Sequence, residues 1–281
     1  MIRIVTDSTC EAPPELLMHP MVTVVPLYVI FGQESLRDNI DITREQFWTR
    51  LPTSDKLPTT SQATPAQFEV PFNAFTDAGD EVIAITLSAK LSRTYESALL
   101  ARDSMPGRAI DVVDSKSISV GLGLIVQKAV DMVSAGASRP EIVAKLEQMR
   151  EGICLLFTLQ TLEYLQRGGR IGKAQAFMGT LLQFKPLLSI VDGEVNPAAR
   201  VRSMSKAIEA MQDLLSQQIT ARGSKVRVGV THADSADAAA EIAAALTQRF
   251  DTPHSFTCTL GPVIGTHVGP GTVGAAVYGG D

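Results

Sequence analysis

Short apolar runs alternate along the first half of the chain with longer stretches in which polar and apolar residues are mixed. The runs Ile2 to Thr6, Glu81 to Thr86 and Ala109 to Asp114 are rich in Ile and Val and predict buried strands. The stretches between them have the length of helices, and strands that alternate with helices at this spacing are typical of βαβ units. Residues 1–152 are therefore predicted to form an α/β domain with a parallel sheet and helices on both faces.

The second half has a different pattern, because two of its apolar runs are separated only by a short turn. Leu187 to Val191 and Val195 to Arg202 flank Asp192-Gly193, a pair that favours a tight hairpin turn. Later apolar runs enclose a helical stretch and predict a strand–helix–strand crossover. Residues 153–281 are therefore predicted to form a second α/β domain with a mixed sheet, and the boundary is expected near Gly152.

Polar residues at the edges of these segments predict where helices begin. Thr43 with Gln46 has the spacing of a capping box, and Thr64 precedes a proline that suits the first helical position. Asp7, Ser8 or Thr9 is expected to cap a short helix opened by Pro13 and Pro14. Three further segments are assigned from pattern: a strand at Val22 to Ile30, a polar loop at Pro58 to Gln62, and a helix at Lys173 to Leu182.

Composition excludes several classes of protein. The chain has 281 residues, 45% of them hydrophobic, and a net charge of -5, so we expect no nucleic-acid-binding surface. Its three cysteines are far apart, which argues against a disulfide framework and fits a reducing compartment. We find neither an apolar run long enough to cross a membrane nor a signal-peptide pattern, so a soluble, cytoplasmic protein is expected.

Common catalytic and metal-binding motifs are absent or out of context. Gly269 to Gly274 has the glycine spacing of a dinucleotide-binding loop, but no helix with an acidic residue follows. Gly168 to Lys173 resembles a phosphate-binding loop, yet Ala174 stands where Ser or Thr must hold magnesium. No G-x-S-x-G elbow is present, and the four histidines lack zinc-ligand spacing. We therefore assign no catalytic residue, metal ligand or cofactor.

One stretch near the end of the chain, Gly261 to Gly274, contains five glycines, two prolines and His267. Glycine allows close backbone approach and proline fixes the path, so a loop of this composition can hold one side chain at a chosen point. His267 is the residue that such a loop would present. The alternative is that the glycines turn a tight corner between two strands.

Two hydroxyl-rich loops in the first half could bind a small anion. Thr59-Thr60-Ser61 and Ser88 to Thr94 each precede a helix, and the second follows a buried strand, at the edge where open α/β sheets bind ligands. Ser92 would lie beside a helix N-terminus, whose free N–H groups favour an anion. The alternative is that Ser92 and Thr60 are ordinary capping or loop hydroxyls.

Seven short motifs, in order along nearly the whole chain, resemble those of the DegV family. They are Ile4-Val5-Thr6-Asp7-Ser8, Pro58-Thr59-Thr60-Ser61-Gln62, Leu91-Ser92-Arg93-Thr94-Tyr95-Glu96-Ser97-Ala98, Val113-Asp114-Ser115, Leu162-Glu163-Tyr164-Leu165, Arg167-Gly168-Gly169-Arg170-Ile171 and Gly261-Pro262-Val263-Ile264-Gly265-Thr266-His267. The resemblance implies a lipid-binding protein that holds one palmitate-like, long-chain fatty acid between two α/β domains, as the binding subunit of bacterial fatty acid kinase. A separate ATP-dependent kinase subunit would phosphorylate the carboxylate for phospholipid metabolism, so the chain itself would not be an enzyme.

By this resemblance, the hydroxyls of Thr60 and Ser92 bind the carboxylate, and Ser61 and the amide of Arg93 assist them. His267 reaches the same carboxylate from the second domain. Hydroxyls, amides and an imidazole satisfy a buried anion, which would be costly without partners, and leave its oxygens reactive.

The tail of the acid needs an apolar tunnel, and the candidates for its lining are Phe157, Leu159, Leu187 and Ile264. Each could equally belong to an ordinary core. Arg170 and Arg202 are expected near the face that meets the kinase. Three departures from the family pattern concern these sites: the pair Ala89-Lys90 is larger than usual, Arg93 stands where Gly is usual, and Met204-Ser205 stand where a basic run is common.

Two other classes of function stay open. His267 could act as nucleophile or base in an enzyme like the related kinase fold that binds dihydroxyacetone through a histidine. The chain could also be a regulator of an unknown ligand.

Overall fold

A computed structural model describes residues 1–179, 184–220 and 225–279. The first half begins with a strand and ends with two consecutive helices. Its elements are β1 (Ile2–Asp7), α1 (Pro14–Leu17), β2 (Val22–Val25), β3 (Tyr28–Phe31), β4 (Glu34–Arg37), α2 (Arg44–Arg50), β5 (Thr59–Ser61), α3 (Pro65–Asp77), β6 (Glu81–Thr86), α4 (Thr94–Asp103), β7 (Ile110–Asp114), α5 (Ser119–Ser134) and α6 (Arg139–Arg150).

Four of these strands form a parallel sheet in the order β2-β1-β6-β7. Ile4 of β1 pairs with Val22 on one side and Ile83 on the other, so the first strand is central and buried on both faces. Helices α3 and α4 pack together on one face, and α5 and α6 on the other. A small antiparallel sheet, β4-β3-β5, lies beside this layer and carries the Thr59 to Ser61 segment.

The second half is built on a six-stranded sheet. Its elements are β8 (Cys154–Thr158), α7 (Glu163–Arg167), β9 (Lys185–Val191), β10 (Glu194–Val201), α8 (Met204–Thr220), β11 (Lys225–His232), α9 (Ala236–Arg249), β12 (Asp251–Thr259), α10 (Pro262–Val268) and β13 (Val273–Gly279). The order is β10-β9-β8-β13-β11-β12; β11 and β12 are parallel and the other neighbours antiparallel. The predicted α/β class, with a parallel sheet followed by a mixed one, is confirmed.

Helix α5 packs against strands of both sheets and joins the two halves through one continuous core. Two glycines, Gly123 on the helix and Gly229 on β11, allow the helix to approach its neighbours closely. A methyl group at Gly123 would lie 2.1 Å from the carbonyl oxygen of Glu11, and one at Gly229 would lie 2.8 Å from Val120. A second core fills the outer face of the six-stranded sheet under α8 and α9.

Several local predictions are confirmed. Gln46 and Thr43 form the capping box of α2, and Gln67 accepts a hydrogen bond from the backbone of Thr64 at the start of α3. The hairpin β9–β10 turns at Asp192 and Gly193, both with positive φ, as a tight Asp-Gly turn requires.

Other local predictions are wrong, and each has a physical reason. The strand expected from Val22 to Ile30 is broken at Pro26, which has no N–H for a sheet. The polar loop at Pro58 to Gln62 contains β5, because Thr60 finds a partner strand at Val29. Helix α1 has Pro13 at its N-cap without a side-chain cap, since Asp7 instead accepts bonds from Thr9 and from the amide of Leu87.

Two further corrections concern the second half. The helix expected from Lys173 to Leu182 is a 3-10 helix, Gly172–Phe177, and residues 180–183 lie outside the described residues. The long amphipathic helix that the sequence predicts from Ser203 to Ala221 corresponds to α8, and Ala221 lies outside the described residues. The stretch from Gly261, expected to be a loop, is helical from Pro262 to Val268. Its glycine at 265 lets the helix approach α2, because a methyl group there would lie 2.6 Å from Phe47 and 2.8 Å from Trp48.

Candidate functional site

A cavity of about 920 Å³, including its mouth open to solvent, lies between the two halves. Most of its wall is apolar, and the polar groups are few. The lining residues are Leu27, Thr60, Ser61, Gln62, Leu87, Leu91, Ser92, Ile118, Ser119, Val120, Leu155, Phe157, Leu165, Arg170, Ile190, Val195, Thr231, Leu260, Val263, Ile264, His267, Val268, Thr272, Gly274 and Ala275.

One wall of the cavity runs along helix α10. Val263, Ile264, His267 and Val268 line the cavity and recur at the spacing of one side of a helix, and Leu260 lines it just before the helix begins. Because α10 packs against α2, β3 and β5 of the first half, its side chains are brought to residues distant in sequence. His267 lies near the C-terminal end of this wall.

His267 contacts Thr60 across the boundary between the two halves. The distance from Thr60 Oγ1 to His267 Nε2 is 2.8 Å, and Nδ1 has no hydrogen-bond partner among the described residues. A buried N–H without an acceptor costs more than an unused acceptor, so we assign the ring proton to Nε2. His267 then donates to Thr60, and the Thr60 hydroxyl proton is left to donate into the cavity.

Burial lowers the pKa of His267 to about 4, and the guanidinium of Arg170 acts in the same direction. The imidazole is therefore neutral at physiological pH. Space beside it is very restricted, because a methyl group at Gly168 would lie 2.1 Å from Nδ1. The ring is thus held between Thr60 on one side and the end of α7 on the other.

Ser92 lies on the loop between β6 and α4 and lines the same cavity. Its hydroxyl is 2.9 Å from Thr94 Oγ1 and accepts a bond from the amide of Thr94 at 3.2 Å, so it lies at the start of the helix as expected. Arg170 Nε donates to the carbonyl of Leu91 at 3.0 Å and its Nη1 to the carbonyl of Gly168 at 2.7 Å. Arg170 therefore joins the Ser92 loop to the segment that holds His267.

Of the other residues predicted for the carboxylate end and the partner face, some line the cavity and some are exposed to solvent. Ser61 is half-buried and lines the cavity next to Thr60. Arg93 is the N-cap residue of α4, and its side chain points to solvent and pairs with Glu96 at 2.8 Å. Arg202 is exposed, whereas Arg170, grouped with it as a partner-facing residue, is half-buried in the cavity wall.

Two of the four tunnel candidates, Phe157 and Ile264, line the cavity. Leu159 and Leu187 are fully buried but are not among the described residues that line it. Leu187 packs in the core under α8, on the outer face of the sheet. Side chains alternate along a strand, so its neighbours Leu188 and Ile190 face inward where Leu187 cannot.

Three polar residues in or beneath the wall were missed by sequence reasoning. Ser119 and Thr231 line the cavity, and both donate hydrogen bonds to Glu11, which is fully buried. Burial raises the pKa of Glu11, and the charge of Arg44 opposes that effect. A lone acidic residue after a strand carries no motif, so its sequence context offered no signal.

The described residues contain neither a metal-binding cluster nor a membrane-spanning helix. No group of three or more His, Cys, Asp or Glu side chains is placed to hold a metal ion within residues 1–179, 184–220 and 225–279. In the same part of the chain, we find no helix that is both long and apolar enough to cross a membrane.

Comparison with known families decides the relationship of this chain. The family described as "Uncharacterised protein, DegV family" matches residues 1–279. The chain belongs to the DegV family. The family predicted from seven motifs is thus confirmed over almost the whole length.

Solved DegV structures agree with the fold in detail. A DegV family protein from Thermus thermophilus, described by its fatty acid binding, superimposes with a TM-score of 0.93 at 36% identity, covering 99% of each chain. DegV from Bacillus subtilis, a fatty acid binding protein, gives 0.89 at 32% identity, covering 99% of this chain and 98% of that one. A stearic acid-binding protein from Eubacterium ventriosum gives 0.87 at 28% identity, with the same coverage.

Proposed function

We propose that this DegV protein binds one long-chain fatty acid in the cavity, with the carboxylate at the Thr60, Ser92 and His267 end and the tail along α10. The observation that carries the proposal is a set of hydroxyls and a neutral imidazole that line a mostly apolar cavity. Relatives over the whole chain are described as fatty-acid-binding, which supports the same ligand class.

The chemistry of the polar end suits a carboxylate. Thr60 has its hydroxyl proton available because His267 donates to its oxygen, and Ser61 and Ser92 can add further donors. Arg170 contributes a positive charge nearby, although its bonds to two carbonyls hold it back from a bidentate contact. The amide of Arg93, at the start of α4, remains a proposed helper.

The apolar wall supplies most of the affinity. Burial of each methylene contributes about 0.8 kcal/mol, so a C14–C18 tail gains roughly 10 kcal/mol or more before the costs of association. Phe157 and Ile264 are the proposed tunnel residues that line this wall. The two domains, proposed as residues 1–152 and 153–281, would close on the ligand from both sides.

We further propose that the chain presents the carboxylate to a separate ATP-dependent kinase subunit in the bacterial cytoplasm. Neutral donors leave a carboxylate oxygen free to attack a phosphoryl group, which supports this role over catalysis by the chain itself. The exposed Arg202 is available for contact with a partner, while Arg170 would act from the cavity wall. The resulting acyl phosphate would enter phospholipid metabolism.

Mass spectrometry of lipid extracted from the purified, denatured protein tests the binding proposal. We expect a C14–C18 fatty acid in about one copy per chain, since shorter tails bury too few methylenes. Replacing Thr60 by Val together with Ser92 by Ala should deplete the bound acid. The matched control is Thr49→Val, an exposed hydroxyl on α2, which should leave it in place. Purified protein without lipid would contradict the proposal.

The alternative, an enzyme that uses His267 as nucleophile or base, makes a different prediction. His267→Ala would then abolish a reaction and leave bound lipid unchanged. The present proposal expects instead that His267→Ala lowers the fraction of protein that carries fatty acid. It also expects that the chain incubated with ATP but without a kinase subunit yields no acyl phosphate.

A further inference from the structure

A second polar group lies against the cavity, away from Thr60 and His267. Glu11 follows β1 and is fully buried. Its Oε1 accepts a bond from the amide of Gly261 at 2.6 Å, and its Oε2 accepts bonds from Ser119 Oγ at 2.6 Å and Thr231 Oγ1 at 2.8 Å. We call Glu11, Ser119 and Thr231 the Glu11 cluster.

Two residues of the cluster form part of the cavity wall. Ser119 begins α5 and Thr231 lies on β11, and both line the cavity among apolar neighbours such as Val120 and Leu260. Each hydroxyl has one proton and two lone pairs. Because both protons are directed to Glu11, each oxygen still has a lone pair that can accept a further hydrogen bond from the cavity.

Helix α10 gives the distance of this cluster from the carboxylate end. Gly261, bonded to Glu11, is the N-cap of α10, and His267 lies six residues further along the same helix. At a rise of 1.5 Å per residue, the two positions are about 9 Å apart along the helix axis. With carbon–carbon bonds of about 1.5 Å in a zigzag chain, this distance corresponds to roughly seven or eight carbons of an extended tail.

We propose that the Glu11 cluster is a second recognition site within the cavity, and that it takes a fatty acid carrying a hydroxyl near the middle of its chain. The inference rests on the proposed fatty-acid binding and adds a substrate class to it. A mid-chain hydroxyl would otherwise lose its hydrogen bonds to water in an apolar tunnel, at a cost of about 1–3 kcal/mol. The cluster replaces those bonds.

A plain acyl chain fits the same wall. The hydroxyls of Ser119 and Thr231 already donate to Glu11, so neither has an unused donor facing a methylene group. A ligand hydroxyl can donate as well as accept, and it therefore suits the cluster whichever way the protons of these groups are arranged. The site widens the range of acids bound without excluding saturated ones.

The test compares stearate with 8-hydroxystearate on delipidated full-length protein by competition with a fluorescent fatty acid. Wild-type protein should bind the two acids with Kd values within about threefold, because the cluster offsets the cost of burying the hydroxyl. Ser119→Ala combined with Thr231→Val should raise the Kd of the hydroxy acid by about tenfold and leave that of stearate within about threefold of wild type.

Ser92→Ala serves as the matched control, since it removes a hydroxyl at the carboxylate end and should weaken both acids by the same factor. Each single variant is measured too, so that a double variant that fails to fold leaves the comparison intact. The inference is overturned if wild-type protein binds the hydroxy acid more than about 30-fold more weakly than stearate, or if the cluster variants weaken both acids equally. If neither acid binds wild-type protein, the proposed function itself is refuted.

Discussion

Alanine at position 168 should weaken fatty-acid binding without unfolding the protein. Gly168 follows α7 with φ of -73° and ψ of -8°, a conformation that suits alanine. Its methyl group, however, would lie 2.1 Å from His267 Nδ1 and 2.9 Å from Cε1, where ordinary contact begins at 3.4 Å. The imidazole must therefore move by about 1.3 Å.

A shift of that size breaks the contact between His267 and Thr60. The ring lies between Gly168 and Thr60, and the present distance of 2.8 Å leaves no room to move straight toward Thr60, so the imidazole must turn aside and its hydrogen bond to Thr60 is lost. The Thr60 hydroxyl then loses the partner that orients its proton toward the carboxylate. Hydrogen bonds to charged groups contribute about 1.5–3 kcal/mol, so we expect the Kd to rise by roughly 10- to 100-fold. The free energy of unfolding should fall by about 1–3 kcal/mol, because the added methyl group overpacks a buried site.

The assay is a fatty-acid displacement titration run beside urea unfolding. Gly169→Ala is the matched control: its φ of +69° strains any other residue, but a methyl group there meets nothing within 4 Å. This control should lose about 1 kcal/mol of stability and keep its affinity. In a His267→Ala background, Gly168→Ala should have no further effect on binding. An unchanged Kd for Gly168→Ala, or an equal loss in both backgrounds, would refute the reasoning.

Two further predictions use the pKa of His267 and the faces of the six-stranded sheet. The folded pKa of about 4 lies below the unfolded value of about 6.5, so this residue costs no stability above pH 6.5 and destabilises the fold as pH falls toward 4. His267→Gln should remove up to about 3 kcal/mol of that acid sensitivity in urea titrations at pH 7.5 and 4.5; equal sensitivity would contradict the assignment. Leu187→Ala should lower the free energy of unfolding by about 2–5 kcal/mol and leave the affinity for fatty acid unchanged, because Leu187 packs on the outer face of the sheet. Phe157→Ala should weaken fatty-acid binding as well, because Phe157 lines the cavity. Weaker binding by Leu187→Ala but not by Phe157→Ala would contradict this assignment of the two faces.

Much of the fold could be predicted because it depends on local patterns. Apolar runs identified β1, β6 and β7, and the capping box at Thr43 and the Thr64-Pro65 pair identified helix starts, since these signals arise within a few residues of the chain. The errors lie where distant contacts overrule local preference. Thr60 joins a strand because β3 offers it a partner, and α10 is helical although it lies within the glycine-rich stretch Gly261 to Gly274.

The candidate site likewise combines features predicted from sequence motifs with features that depend on distant contacts. The resemblance to the DegV family assigned Thr60, Ser92 and His267 to one ligand site. The 2.8 Å contact between Thr60 and His267 could not be derived from local sequence, because the two residues are 207 positions apart. Leu187 was chosen by hydrophobicity alone, and only the register of its strand assigns it to the outer core. Glu11 had no local signal, because its three donors come from α5, β11 and the start of α10.

By itself, the sequence determined the α/β class, the parallel and mixed sheets and the DegV membership, because periodicity, turn chemistry and motif order are properties of neighbouring residues. Only the tertiary structure decided which side chains face the cavity, that His267 stays neutral beside Thr60, and that a buried carboxylate orients two hydroxyls in the cavity wall. Those features depend on burial and on distances between elements far apart in the chain, and no local pattern encodes either.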